Sequence, residues 1–168
     1  PVFQVNTVSF DKQGDSAVAA LNDGGFVVTW YDHSQLAGDN DGSGIMGRIF
    51  DRNGVESGPD FLVNTTTEGY QINNAVATLP DGRFVVVWVG PDQILGQMFD
   101  ADGQSVGDEF RINAQRTTGG LDLEVTALTN GGFAVSWTDY KDLGSRNELS
   151  IHARLFNSHG NKAGPSSR

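Results

Sequence analysis

The chain has 168 residues, enough for one domain with a real core, and no cysteine, which excludes disulfides and thiolate metal sites. Its 21 acidic residues against 11 basic ones leave a net charge of −10, a field that disfavours nucleic acid and anionic membrane surfaces and attracts cations. No apolar run reaches the ~18 residues of a membrane span, so no membrane insertion is expected.

A share of 38% apolar residues with 22 glycines suits an all-β chain with many tight turns. The start at Pro1-Val2-Phe3 carries neither an initiator Met nor a signal-peptide pattern, which makes a processed or excised piece of something longer the expectation.

The elements repeat three times in chain order. Phe3 to Asn6, Phe61 to Asn64 and Phe110 to Asn113 each read Phe-x-(Val/Ile)-Asn and open units at 3–60, 61–109 and 110–168 of a single repeat domain. Short apolar runs follow, ending at Leu21, Leu79 and Leu128. Next come Asn22-Asp23-Gly24, Pro80-Asp81-Gly82 and Thr129-Asn130-Gly131, and Asp-Gly or Asn-Gly between apolar runs is the strongest short-range hairpin signal. The returning strands end in Trp30, Trp88 and Trp137. After a variable loop, third strands run over 45–51, 94–100 and 151–157, and a second Gly turn leads into the next Phe-x-Val-Asn strand.

The expected fold is therefore all-β, with three four-stranded antiparallel meanders. In the Trp strands both alternating faces are largely apolar, so the sheets must be covered on both sides, as propeller blades are. The chain begins with the last strand of a meander and ends with the first three, so Phe3 to Asn6 could pair with Ile151 to Asn157 and close the C-terminal sheet. Three blades fall short of the usual propeller range of about four to eight. The expectation is a single closed threefold prism-like or half-propeller body, with a homodimer completing a six-bladed ring and a fragment of a longer array as the alternatives.

The succession of Phe-x-Val-Asn, Ala-Val-Ala-x-Leu-x-Asp-Gly-x-Phe-Val-Val-x-Trp and Asp41-Gly42-Ser43-Gly44-Ile45 resembles a repeat of about fifty residues in large secreted bacterial proteins. These are similar to calcium-binding repeats-in-toxin proteins and giant adhesins. The resemblance covers nearly the whole chain and is carried best by Phe61 to Glu109. The third unit departs from it at Leu121-Asp122-Leu123, which has no close counterpart, and at Gly144-Ser145-Arg146-Asn147-Glu148. The nonapeptide calcium repeat is absent. The resemblance implies a secreted or cell-surface bacterial location.

Two constellations could carry function. Asp39-Asn40-Asp41-Gly42-Ser43-Gly44 sets carboxylates at alternate positions on a Gly-bent loop, so Asp39, Asp41 and Ser43, with help from Asp51, could converge on Ca²⁺. The competing reading is a solvated acidic loop. Trp30, Trp88 and Trp137 lie at equivalent strand ends, each followed by an acidic residue: Asp32, Asp92 and Asp139. An indole face and a carboxylate suit a sugar ring, with Tyr31, His33, Tyr140 and Asp142 placed to help, but a Trp sharing its face with Phe and Val carries the signature of core, which is the leading reading.

The histidines fall at unrelated repeat positions, and no two carboxylates single themselves out as an acid–base pair, so no enzyme is expected. The expectation is a non-catalytic extracellular module of an adhesin or secreted protein that binds a glycan or other cell-surface ligand, with calcium support. A structural spacer and an accessory domain of a polysaccharide-degrading enzyme are the alternatives.

Overall fold

A computed structural model describes residues 2–36, 38–114, 120–142 and 147–164. Among these residues the regular structure is entirely β. Sheet 1 contains β1 (Gln13–Ala20), β2 (Phe26–Asp32), β3 (Gly44–Phe50) and β4 (Phe61–Leu62). Sheet 2 contains β5 (Ile72–Thr78), β6 (Phe84–Val89), β7 (Ile94–Phe99) and β8 (Ser105–Arg111). Sheet 3 contains β9 (Gly120–Ala127), β10 (Phe133–Asp142), β11 (Asn147–Phe156) and β12 (Lys162–Ala163). Each is an antiparallel meander in sequence order, as the threefold repeat predicts.

Local chemistry explains each meander. In the first hairpins Gly24, Gly82 and Gly131 take φ of 90°, 93° and 88°, which a side chain would strain. The preceding Asp23, Asp81 and Asn130 accept the backbone N–H two residues on. The outer turns use the same device, with Asp51, Asp100 and Asn157 each accepting two backbone N–H groups. A glycine inside a strand has its own cause: a Cβ on Gly47 would lie 2.6 Å from the Phe61 ring, and one on Gly96 2.8 Å from Phe110. The phenylalanine of the outer strand lies across the bare backbone of its neighbour.

The sheets stack face to face. The inner strands β1, β5 and β9 adjoin, with β5 touching both others. Between sheets 1 and 2 a core forms from Val27, Ile45 and Ile49 on one side and Phe84, Val86 and Trp88 on the other. Between sheets 2 and 3 Val85, Val87 and Ile94 meet Phe133, Val135 and Trp137. Every residue of β6 and β7 is buried. The two-sided packing expected of every Trp strand thus holds for sheet 2, while sheets 1 and 3 each have a neighbouring sheet on one face among the described residues.

The C-terminal sheet is not closed by the N-terminal segment. β12 supplies the fourth strand of sheet 3, pairing Leu155 with Ala163 and Phe156 with Lys162. Phe3 to Asn6 forms no strand and lies on the free face of sheet 1, where Phe3 meets Phe50 at 5.4 Å and Val5 O accepts from Arg48 Nη1 at 2.8 Å. Leu121-Asp122-Leu123 does have counterparts. Counted back from Leu21, Leu79 and Leu128, it falls level with Gly14-Asp15-Ser16 and Ile72-Asn73-Asn74.

Candidate functional site

The candidate openings lie at one end of the body. That end carries the starts of the inner strands and the connections that follow β2, β6 and β10, as the pairs Gln13–Asp32, Ile72–Val89 and Gly120–Asp139 show. Two openings lie there.

The first is a cleft of about 430 Å³ lined by Phe10, Asp11, His33, Ser34, Gln35, Asp41, Gly42, Gly69 and Tyr70. Its aromatic wall is a short relay of rings. Tyr31 meets His33 edge-on at 5.3 Å, and His33 meets Tyr70 at 5.5 Å. Tyr70 is 59% exposed and Phe10 68%, so both present ring surface to solvent. The acidic loop is held against the next unit by Ser43, whose backbone bridges to Tyr70 and whose hydroxyl donates to Gln71 O at 2.8 Å. Asp41 Oδ2 accepts from Gly69 N at 3.2 Å. At Gly42 the two loops approach so closely that a Cβ would lie 2.2 Å from Gly69 O. The cleft thus pairs exposed aromatic surface with the carboxylates of Asp11 and Asp41.

The second opening, of about 410 Å³, lies between the inner strands and is lined by Asp15, Ser16, Asn73, Asn74, Asp122 and Leu123. Asp15, Asn73 and Asp122 have φ of 48°, 50° and 52°, one left-handed residue at the same place in each inner strand. In each sheet the inner pairing slips its register there, so these are β-bulges that turn a polar side chain out of the ladder. Buried Asn74 ties neighbouring sheets together, donating to Asp15 O at 2.6 Å and accepting from Thr29 Oγ1 at 2.5 Å. Sequence reasoning missed this ring. The available signal was an Asp or Asn at a fixed distance before the Leu of every unit, within a run that otherwise reads as strand.

The expected site residues separate. Trp30, Trp88 and Trp137 are 4%, 0% and 5% exposed, so all three indoles are packed within the fold. His33 lines the cleft, and Tyr31 backs it edge-on from the core. Asp32 is buried and accepts Ser34 N at 2.6 Å, bracing its own turn. Asp92 is exposed in the loop between β6 and β7.

Asp139 and Tyr140 lie on β10, which runs as strand through Asp142 where a loop was expected. The side chain of Asp142 and the segment Gly144-Ser145-Arg146 lie outside the described residues. Asp139 Oδ2 is 3.5 Å from His152 Nε2, and Ser150 Oγ lies 2.9 Å from that same nitrogen. A nucleophile relay needs the two partners on opposite ring nitrogens, so this is no catalytic triad.

The residues expected at calcium divide likewise. Asp39 is buried and spends its carboxylate within the fold, on Asp41 N at 3.1 Å and Asn64 Nδ2 at 2.9 Å. Ser43 donates its hydroxyl to a carbonyl, and Asp41 faces the cleft. Asp51 stands at the far end of β3, roughly 20 Å away at the rise of a strand. There the N–H groups of Val55 and Asn53 hold its carboxyl below the usual carboxylate range. The four residues do not form one ligand set. Among the described residues no three His, Asp or Glu side chains gather as a metal cluster.

No protein-family model and no curated protein matches the sequence. Solved structures do match it in fold. A protein of unknown function from Dyadobacter fermentans superposes with a TM-score of 0.61 at 12% identity, over 88% of this chain and 52% of that one. An arabinanase from Bacillus subtilis gives a TM-score of 0.59 at 17% identity, over 89% and 53%. A protein from Parabacteroides distasonis assigned provisionally to the glycoside hydrolases gives 0.56 at 12%, over 90% and 52%. The likeness makes the chain a β-propeller-like array of antiparallel sheets. It spans about half the length of these structures.

Proposed function

We propose that the chain is a non-catalytic, extracellular glycan-binding module of a bacterial adhesin or secreted protein, and that the saccharide lies in the cleft between His33, Tyr70, Asp11 and Asp41. The observation that carries this is Tyr70, an exposed ring backed by His33 and facing carboxylates across a cleft of about 430 Å³. A pyranose offers an apolar C–H face that suits a phenol ring, and adjacent hydroxyls that donate to a carboxylate. Two of the structures similar in fold, an arabinanase and a protein provisionally assigned to the glycoside hydrolases, support carbohydrate as the ligand class. Calcium belongs to the same proposal as a support of the acidic loop, entering at Asp41 and Asp11 rather than at the buried Asp39.

A glycan array probed in calcium and in EDTA tests this. Binding to at least one saccharide is expected, with Tyr70→Ala lowering affinity tenfold or more, about 1.4 kcal/mol. No binding in either condition, or a Tyr70→Ala chain that binds as well as wild type, rejects the cleft.

The bulge ring favours a second reading, in which the saccharide sits between Asp15, Asn73 and Asp122, because left-handed non-glycine residues repeated at one place cost stability and persist where something uses them. Loss of binding in Asp122→Asn with Tyr70→Ala unaffected would select this reading.

A further inference from the structure

The carboxylates at the loop end of sheets 1 and 2 are used in two ways. Asp32 and Asp39 are buried and spend their oxygens on the fold, Asp32 on Ser34 N, Asp39 on Asp41 N and Asn64 Nδ2. Asp11 and Asp41 line the cleft instead, and each gives one oxygen to a backbone N–H. Asp11 Oδ1 accepts from Lys12 N at 2.8 Å, and Asp41 Oδ2 accepts from Gly69 N at 3.2 Å. The second oxygens, Asp11 Oδ2 and Asp41 Oδ1, engage no protein group among the described residues, and neither carboxylate has an ion-pair partner there. Lys12 adjoins Asp11 in sequence, yet it meets that carboxylate through its backbone N–H and does not line the cleft. Among the described residues no Lys or Arg lines it. Two negative charges beside one cavity thus create a potential that a neutral sugar leaves unused.

The rings favour the same sign of ligand. Tyr70 and Phe10 stand exposed at the cleft, and His33 meets Tyr70 at 5.5 Å. The face of an aromatic ring is the negative part of its quadrupole and attracts an ammonium group. An ammonium also brings three N–H donors, and its bonds to carboxylate oxygens are about twice as strong as those between neutral partners. The backbone is strained to present these groups. Asp11 and Gln35 have φ of 65° and 57°, in the left-handed region, and both line the cleft. The other described non-glycine residues of positive φ are Asp15, Asn73 and Asp122 of the bulge ring, so every one of them lies at one of the two openings. The repeat does not generate this wall: counted from Trp30 and Trp88, His33 falls level with Pro91.

We infer that the ligand of the cleft is a cationic saccharide, an amino sugar whose amine is free and protonated; this rests on the reading of the cleft as the saccharide site. The apolar C–H face of the sugar lies on Tyr70. Its ammonium takes the free oxygens of Asp11 and Asp41 within the field of the exposed rings. N-acetylation removes the charge and two of the three N–H donors, so the cleft separates a free hexosamine from its acetylated form as well as from a neutral hexose. Calcium would meet the same oxygens, and the amine therefore displaces it, supplying to the acidic loop the positive charge that calcium supplies in its absence.

Calorimetric titration of the full chain in EDTA tests this, at pH 6, where the amines of the probe carry protons. The probes are the β-1,4-linked tetramer of glucosamine, its fully N-acetylated form and the corresponding glucose tetramer. The glucosamine tetramer should bind about tenfold tighter than either neutral tetramer, and its affinity alone should fall as salt is raised. Calcium added back should weaken it. Asp11→Asn with Asp41→Asn keeps the side-chain shapes and the acceptors of Lys12 N and Gly69 N, and asparagine tolerates the left-handed φ at position 11. This variant should melt as wild type does and bind the three tetramers almost equally. Neutral tetramers that bind as tightly as glucosamine, with Tyr70→Ala weakening all three, would leave the saccharide site standing and overturn its cationic specificity. No binding by any tetramer would remove the site itself. A glucosamine preference that survives the double substitution would overturn the assignment to Asp11 and Asp41, and tri-lysine binding as tightly as the glucosamine tetramer would overturn the assignment to a sugar.

Discussion

The interior sheet and the two outer sheets are built on one strand order and one set of turns, yet they bury their residues differently. Sheet 2 has Val85, Val87 and Val89 on the face that meets sheet 3 and Phe84, Val86 and Trp88 on the face that meets sheet 1. Sheet 3 keeps the second set, as Phe133, Val135 and Trp137, and replaces the first with Ala134, Ser136 and Thr138. The face of β10 turned inward is thus preserved and the one turned outward diluted. Sheet 1 differs in the opposite sense, retaining Val28, Trp30 and Met46 on a face that, among the described residues, Phe3 and Val5 partly cover. A repeat therefore states not only its own fold but how well each of its faces is occupied.

The largest expected effect comes from breaking this difference at its tryptophans. Trp88 is fully enclosed between sheets, and Trp88→Ala should cost about 3–5 kcal/mol, the range for emptying a packed aromatic site. Trp30 lines an open cavity, so part of the space it leaves is already continuous with solvent, and Trp30→Ala should cost at least ~1 kcal/mol less. Urea unfolding of both variants, at a concentration where the chain is monomeric, measures the gap. Equal costs would mean that the free face of sheet 1 is as tightly filled as the interior.

A smaller effect should follow at the strand glycines. Gly96→Ala brings a Cβ to 2.8 Å from the Phe110 ring, and since Phe110 also packs on Phe133 and Phe156, its retreat disturbs a three-ring contact. A loss of about 1–3 kcal/mol is expected, the usual scale of overpacking. Ala153→Gly, at the same position of sheet 3, should change the stability of the single chain by only about 0.5–1 kcal/mol, the conformational cost of glycine in a strand. Thermal melts of the two reciprocal variants test whether the glycine is there for the phenylalanine or for the backbone.

Much of this architecture is legible in the sequence because it is written locally. The Asp-Gly and Asn-Gly turns, the alternation in β6 and the repeated tryptophan each specify a short piece of chain, and the two apolar faces of Phe84 to Val89 already imply sheets on both sides. The site is written non-locally. Tyr70 belongs to the loop entering β5 and reaches His33 only because the backbone of Ser43 bridges to it. Asp15, Asn73 and Asp122 look like ordinary strand-start polar residues until the left-handed φ that turns them outward is seen. Phe3 to Asn6 has strand periodicity, but periodicity names no partner, and the segment lies against sheet 1 rather than along sheet 3. The tryptophans were ambiguous for a similar reason, since an indole at a strand end has the same pattern whether its face is open or covered.

The smallest effect concerns charge, and the molecule contains its own control. The outer turns of sheets 1 and 2 are held by carboxylates, Asp51 and Asp100, whereas sheet 3 uses the neutral Asn157, whose Oδ1 accepts His159 N at 2.9 Å and Asn161 N at 3.0 Å. The two chemistries give the same hydrogen bonds and differ in their response to acid. The N–H groups of Val55 and Asn53 favour the ionised form of Asp51 and lower its pKa in the folded chain below the ordinary 3.8. The stabilisation is therefore complete above about 3.8, the unfolded value, and is lost as pH falls through the lowered folded value. Asp51→Asn should keep the turn as sheet 3 keeps it and remove that dependence. The variant should melt slightly below wild type at neutral pH, and the difference should shrink as the solution is acidified below the unfolded value. Melting profiles from pH 7 to pH 2 follow the difference directly. A gap that stays constant across that range would show that the turn is held by its geometry alone, with aspartate and asparagine equivalent, and would remove the distinction between the charged turn of sheet 1 and the neutral turn of sheet 3.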